Sequence, residues 1–157
     1  MMFNQKQAET YLNKLIKQYK IKVSERSKSS CGWAIWETRE IKIPYPSDID
    51  RFGVCLHEIK HIIDGDTGKR YQQEFWCDFY ALNILKEFGY DTVDWETRMR
   101  WHVLSRVAMA TNRGVKVVDK EITDYYKDVN FTKWIGKKVF VGADRKFNNI
   151  TISIRNK

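Results

Sequence analysis

The chain has 157 residues, 43% of them hydrophobic and 14% aromatic, enough to build a buried core and too much for a disordered polymer. No apolar run approaches the roughly 20 residues that cross a bilayer, and the start Met1-Met2-Phe3-Asn4-Gln5-Lys6 has no signal-peptide core, so a cytoplasmic protein with no membrane partner is expected. The formal net charge is +8, and residues 133–157 alone hold 7 basic groups against 1 acidic one. Such a tail fits an acidic partner, nucleic acid among them, although solvated lysines are the commoner explanation. Cysteines 31, 55 and 77 are odd in number and lack a C-x-x-C pair, which fits a reducing compartment and small buried side chains.

In chain order, Ala8, Tyr11, Leu12, Leu15, Ile16 and Tyr19 mark an amphipathic helix over about 4–19. Ile21 and Val23 alternate as a short strand, and Ser24 to Ser30 is a polar loop. Residues 33–36 and 40–43 read as a β-hairpin around Thr38-Arg39, ended by Pro44 and Pro46. Ser47 is the expected N-cap of the next helix, with Asp50 as its capping-box partner.

That helix, about 48–64, contains His57-Glu58-Ile59-Lys60-His61, an H-E-x-x-H pattern, and packs through Ile49, Phe52, Leu56, Ile59 and Ile63. Positions four apart share a helix face, so His57 and His61 can grip one metal ion together. Glu58 lies about 100° round from His57, within reach of a water that such an ion would bind. Neutral imidazole suits zinc, and an activated water needs a carboxylate to take its proton. A catalytic zinc commonly takes a third protein ligand. In a second helix, about 72–88 with Gly89 just past its end, Glu74, Asp78 and Ala81 share a face. Glu74 can therefore be that ligand, and Asp78 can accept the second ring N–H of a ligating histidine. The plainer alternative makes both acids part of a solvated face.

H-E-x-x-H followed by Glu74-x-x-Cys77-Asp78-x-Tyr80-Ala81 resembles the small ImmA/IrrE-type family of gluzincin zinc metallopeptidases, over about residues 33–90. Lys60 departs from the family pattern, which has a small residue before the second histidine. The resemblance implies a zincin-like fold and a zinc ion (Zn2+) held by His57, His61 and Glu74. It further implies Glu58 as general base, Asp78 behind the ligands, and a narrow protein substrate. That substrate is often a transcriptional repressor or regulator of a phage or mobile element.

A third long helix opens at Asp94 and runs to about Thr111, with Trp95, Met99, Val103 and Ala110 on its apolar face. His102 and Arg106 fall on that face too, either to stabilise an oxyanion, with His102 in a catalytic role, or to be satisfied by buried acids. Asp119 caps a short helix ending near Lys127, and Lys137–Val141 and Ile150–Ile154 alternate as two strands. The expected class is α+β: a zincin-like core over residues 1–92 with a small antiparallel-type sheet, and a helix plus basic hairpin over 93–157 packed on it as one domain. Two other functions compete with the peptidase. One is a DNA-binding module, a winged helix with Lys137, Lys138, Arg145 and Lys146 on its wing, disfavoured by the acids at 119, 121 and 124. The other is an interaction protein that a metal merely stabilises.

Overall fold

The computed structural model of the protein describes residues 2–144 and 149–156. It is an α+β structure with the order α1 (Gln5–Gln18), β1 (Lys22–Ser27), β2 (Trp33–Ile35), β3 (Glu40–Pro44), α2 (Ile49–Asp64), α3 (Arg70–Glu87), α4 (Val93–Asn112), α5 (Lys120–Tyr125), a 3-10 turn (Phe131–Trp134), β4 (Lys137–Ala143) and β5 (Ile150–Asn156). Among the described residues no helix is long and apolar enough to cross a membrane. Two compact units form. The first takes residues 1–68 and 76–96, the second residues 69–75 and 97–157.

The first unit is built around α2. Every residue from Phe52 to Ile59 is buried, so this helix is enclosed on all sides rather than along one stripe. Its outward-facing isoleucines are only half-buried, and Ile62 takes the core position expected of Ile63. Asp48, not Ser47, is the N-cap: its Oδ1 accepts the Arg51 backbone N–H at 2.8 Å. Ser47 is drawn aside because its hydroxyl accepts Arg51 Nη1 at 2.6 Å, leaving the anionic side chain for the positive helix end. Gly65 ends the helix with φ 69°, a conformation that favours glycine.

Beside α2 lies a three-stranded sheet in the order β1-β3-β2. It is mixed, not antiparallel throughout: β1 runs parallel to β3 while β2 runs antiparallel to it. The physical reason is connection. Two parallel strands cannot be joined by a tight hairpin, and here β2 supplies the return path between them. The expected polar loop also begins late, because β1 continues through Ser27. The register shifts between Val23 and Glu25, and Ser24 Oγ at that bulge donates to the Ile41 carbonyl at 3.1 Å. Arg26 donates to the Pro44 carbonyl at 3.3 Å, so sheet pairing and side-chain bonds overrode local polarity.

In the second unit α4 buries Met99, Val103, Leu104, Val107 and Ala108, whereas Ala110 is only half-buried. Asp119 holds the N-cap position of α5 but makes no capping bond there. Its carboxylate instead accepts the Tyr71 hydroxyl and lies 3.8 Å from Lys69 Nζ. β4 and β5 pair antiparallel without a slip, from Lys137↔Asn156 to Ala143↔Ile150. Arg145 and Lys146, placed on the wing by the sequence, lie outside the described residues.

Gly53 marks the tightest approach to α2. A Cβ there would lie 2.4–2.9 Å from three atoms of the Trp95 ring. Gly53→Ala is expected to destabilise the protein by about 1–3 kcal/mol, because overpacking against a rigid indole outweighs the roughly 1 kcal/mol that alanine gains in a helix. Urea unfolding with an unchanged midpoint would refute this.

Candidate metal centre

His57, Glu58 and His61 are polar groups set in the buried and half-buried middle of α2, with Lys60 between them. A buried polar side chain is costly unless bonded. His57 Nδ1 lies 2.7 Å from Asp78 Oδ1. A carboxylate can only accept, so Nδ1 carries the proton and Nε2 keeps its lone pair. That lone pair faces His61, whose Nε2 is 3.1 Å away. Two ligands of a tetrahedral zinc with Zn–N near 2.05 Å sit about 3.3 Å apart. The two imidazoles are thus close to the spacing a shared zinc requires, and a proton or a metal ion can bridge them. The donor chemistry fits zinc: one tautomer is fixed by an acid, and a second imidazole stands one turn on.

Asp78 is itself anchored. It is 3% exposed, and its backbone carbonyl accepts Trp95 Nε1–H at 3.3 Å. The indole that fills the space over Gly53 therefore also pins the helix turn that holds the His57 ring.

Glu58 lies against the backbone just before β2. A Cβ on Gly32 would be 2.7 Å from Glu58 Cγ, 3.0 Å from Oε1 and 2.8 Å from the Lys42 carbonyl. Only glycine leaves room for the carboxylate at the start of the sheet edge. Sequence reasoning missed Gly32. Its signal was a lone glycine immediately before a strand, which marks close backbone approach.

Lys60 is turned to its own helix. Its Nζ is 2.7 Å from Asp64 Oδ1 and 5.3 Å from the centre of the Tyr80 ring. Its charge is thereby taken up by an acid and an aromatic face. Cys55 is no thiolate ligand: burial pushes its thiol up to about 12, and Sγ donates to the Pro44 carbonyl at 3.2 Å. Cys77 is buried and Cys31 exposed.

Glu74 stands one turn before Asp78 on α3 and is 1% exposed. In the second unit two guanidinium groups and an imidazole approach its carboxylate. Arg70 Nε is 2.6 Å from Oε1, Arg106 Nη2 3.9 Å from Oε1, and His102 Nε2 3.6 Å from Oε2. The two polar residues on the face of α4 thus converge on one buried acid. On the hairpin, Lys137 donates to Asn156 Oδ1 at 2.7 Å and Lys138 is exposed.

Comparison with family models, curated proteins and solved structures returns no match for this chain.

Asp78→Ala should lower zinc affinity by about 10–100-fold while leaving the far-ultraviolet circular dichroism unchanged. Competition with a chromogenic chelator measures it, and an unchanged affinity would remove Asp78 from the site.

Proposed function

We propose that the chain is a cytoplasmic zinc-dependent metallopeptidase of gluzincin type, as its resemblance to the ImmA/IrrE-type family implies, with a zincin-like first unit. The observation that carries this reading is the His57–His61 pair: one ring fixed by Asp78 at 2.7 Å, the two Nε2 atoms 3.1 Å apart. By that resemblance His57, His61 and Glu74 would hold the ion. When bound, zinc supplies a Lewis acid for the scissile carbonyl and lowers the pKa of a nearby water towards ~7.

The chain's own groups do the rest. Asp78 keeps His57 in the tautomer that presents Nε2. The Glu58 carboxylate takes the proton of the attacking water and returns it to the leaving amine. His102 has the donor chemistry to stabilise the developing oxyanion, and its approach to Glu74 favours a second role, holding that carboxylate in place. Beside α2, β2 is one of the two edge strands of the sheet, with Trp33 40% and Ile35 42% exposed. An extended peptide pairing with that edge would gain main-chain hydrogen bonds and cover these side chains. The resemblance makes the substrate a specific protein, a transcriptional repressor or regulator of a phage or mobile element.

The test separates chemistry from structure. Elemental analysis of purified protein should give about one zinc per chain, and Glu58→Gln should retain both zinc and fold while cleavage stops, since an amide cannot accept the water's proton. Cleavage is read as new protein termini after co-expression with a host proteome or neighbouring regulators. Identical termini from wild type and Glu58→Gln would defeat the peptidase reading. Failure to take up zinc after chelation and refilling would defeat the metal centre. Gly32→Ala should also depress cleavage with zinc retained, because the added methyl displaces Glu58, and full activity would show that the close approach is not needed.

A further inference from the structure

The two edges of the β4–β5 hairpin are treated differently. On β4, the Asn112 side chain bonds the edge at Val139: its Nδ2 donates to the Val139 carbonyl and its Oδ1 accepts the Val139 N–H, both at 2.8 Å. A side-chain amide there does what a neighbouring strand would do. On β5, nothing comparable is present among the described residues. The strand is 7 residues long and exposed from Thr151 to Asn156, and residues 150–154, Ile-Thr-Ile-Ser-Ile, carry no charge and no proline. Natural proteins guard such edges with charge, proline or a covering element, because a bare ladder recruits another strand.

Asn112 also fixes which backbone groups β5 offers. Since the Val139 N–H and carbonyl point away from β5, the pair Val139↔Ile154 is a non-hydrogen-bonded one. Ile154 must then direct its own N–H and carbonyl outward, and with a period of two so must Ile152 and Ile150. These same three residues share one sheet face with Val139 and Val141, to which Ile154 and Ile152 are paired. Ile152 and Ile154 are 37% and 42% exposed.

We propose that β5 pairs with β5 of a second copy of this chain, antiparallel about a two-fold axis through Ile152. The segment is self-complementary in that register. Ile152 meets its counterpart, Ile150 meets Ile154 of the partner twice, and every outward N–H and carbonyl of these residues finds a mate. Thr151 stands opposite the partner's Ser153 on the other face. Isoleucine pairs on one face and hydroxyl pairs on the other set the register, as a one-step slip would break both. The two copies of Arg155 lie six residues apart along the ladder, about 20 Å, well beyond the ~8–10 Å over which surface charges interact in physiological salt. A single strand pair buries less than a standard interface, so the association is weak.

Analytical ultracentrifugation of the full chain from micromolar to millimolar concentration should show a reversible monomer–dimer equilibrium. Ile152→Lys, which sets two ammonium groups directly opposite, should weaken it by more than about tenfold. In a Cys31→Ser background, Ile152→Cys should form an intermolecular disulfide under mild oxidation and Ser153→Cys should not. This readout serves where Ile152→Lys disturbs the hairpin, which circular dichroism of the monomer would reveal. A chain that stays monomeric at millimolar concentration, or a dimer that survives Ile152→Lys and crosslinks no better at 152 than at 153, would overturn the proposal.

Discussion

A helix enclosed on all sides that nonetheless carries two histidines and a glutamate is the constraint on which the first unit depends. Apolar burial drives α2 inward, and each buried polar group it takes along must then be bonded or it costs several kcal/mol. Asp78 meets that demand for His57 at 2.7 Å. Meeting it creates the next demand, since a buried carboxylate must be held in one place. The Trp95 indole does so from the backbone side, and it fits only because residue 53 has no Cβ. The same logic explains Gly32, where the Glu58 side chain takes the room that a methyl group would occupy.

The second unit solves a similar problem with charge. Glu74 is buried, and Arg70, Arg106 and His102 approach its two oxygens. Because the Arg70 side chain is 67% exposed, much of its attraction is screened by water. The His102 and Arg106 side chains are more enclosed, at 23% and 34% exposed. Asp119 shows the same competition for acids. It stands where it would cap α5 but is drawn to the Tyr71 hydroxyl, and burial, with this contact second, raises the Tyr71 pKa. The short helix therefore starts without a side-chain cap.

The hairpin gives a third form of the same accounting for backbone groups. On one edge an asparagine at the end of α4 bonds the Val139 N–H and carbonyl, and the other presents a regular row of donors and acceptors. A side chain can complete a ladder position only where a helix end happens to deliver it.

Much of this was legible in the residues themselves. The 3.6-residue period placed α1, α2, α3 and α4 within a few residues of their ends, and the period of two found β4 and β5, because both signals arise from local backbone geometry. The i, i+4 spacing put His57 with His61, and Glu74 with Asp78, for the same reason. Local sequence could not decide which strands run parallel, since β1 and β3 meet only after β2 has turned the chain back. Nor could it show that Ser24, Glu25 and Arg26 join a strand, that Asp48 outcompetes Ser47 as a cap, or that Asp119 leaves its cap for Tyr71. The partners that crowd Gly32 and Gly53 were likewise invisible, since they stand 26 and 42 positions away. The sequence determined the elements and the faces they offer, because those depend on neighbours along the chain. Tertiary structure alone decided which buried acid serves which cation or ring, because that choice depends on distances that exist only once the chain has folded.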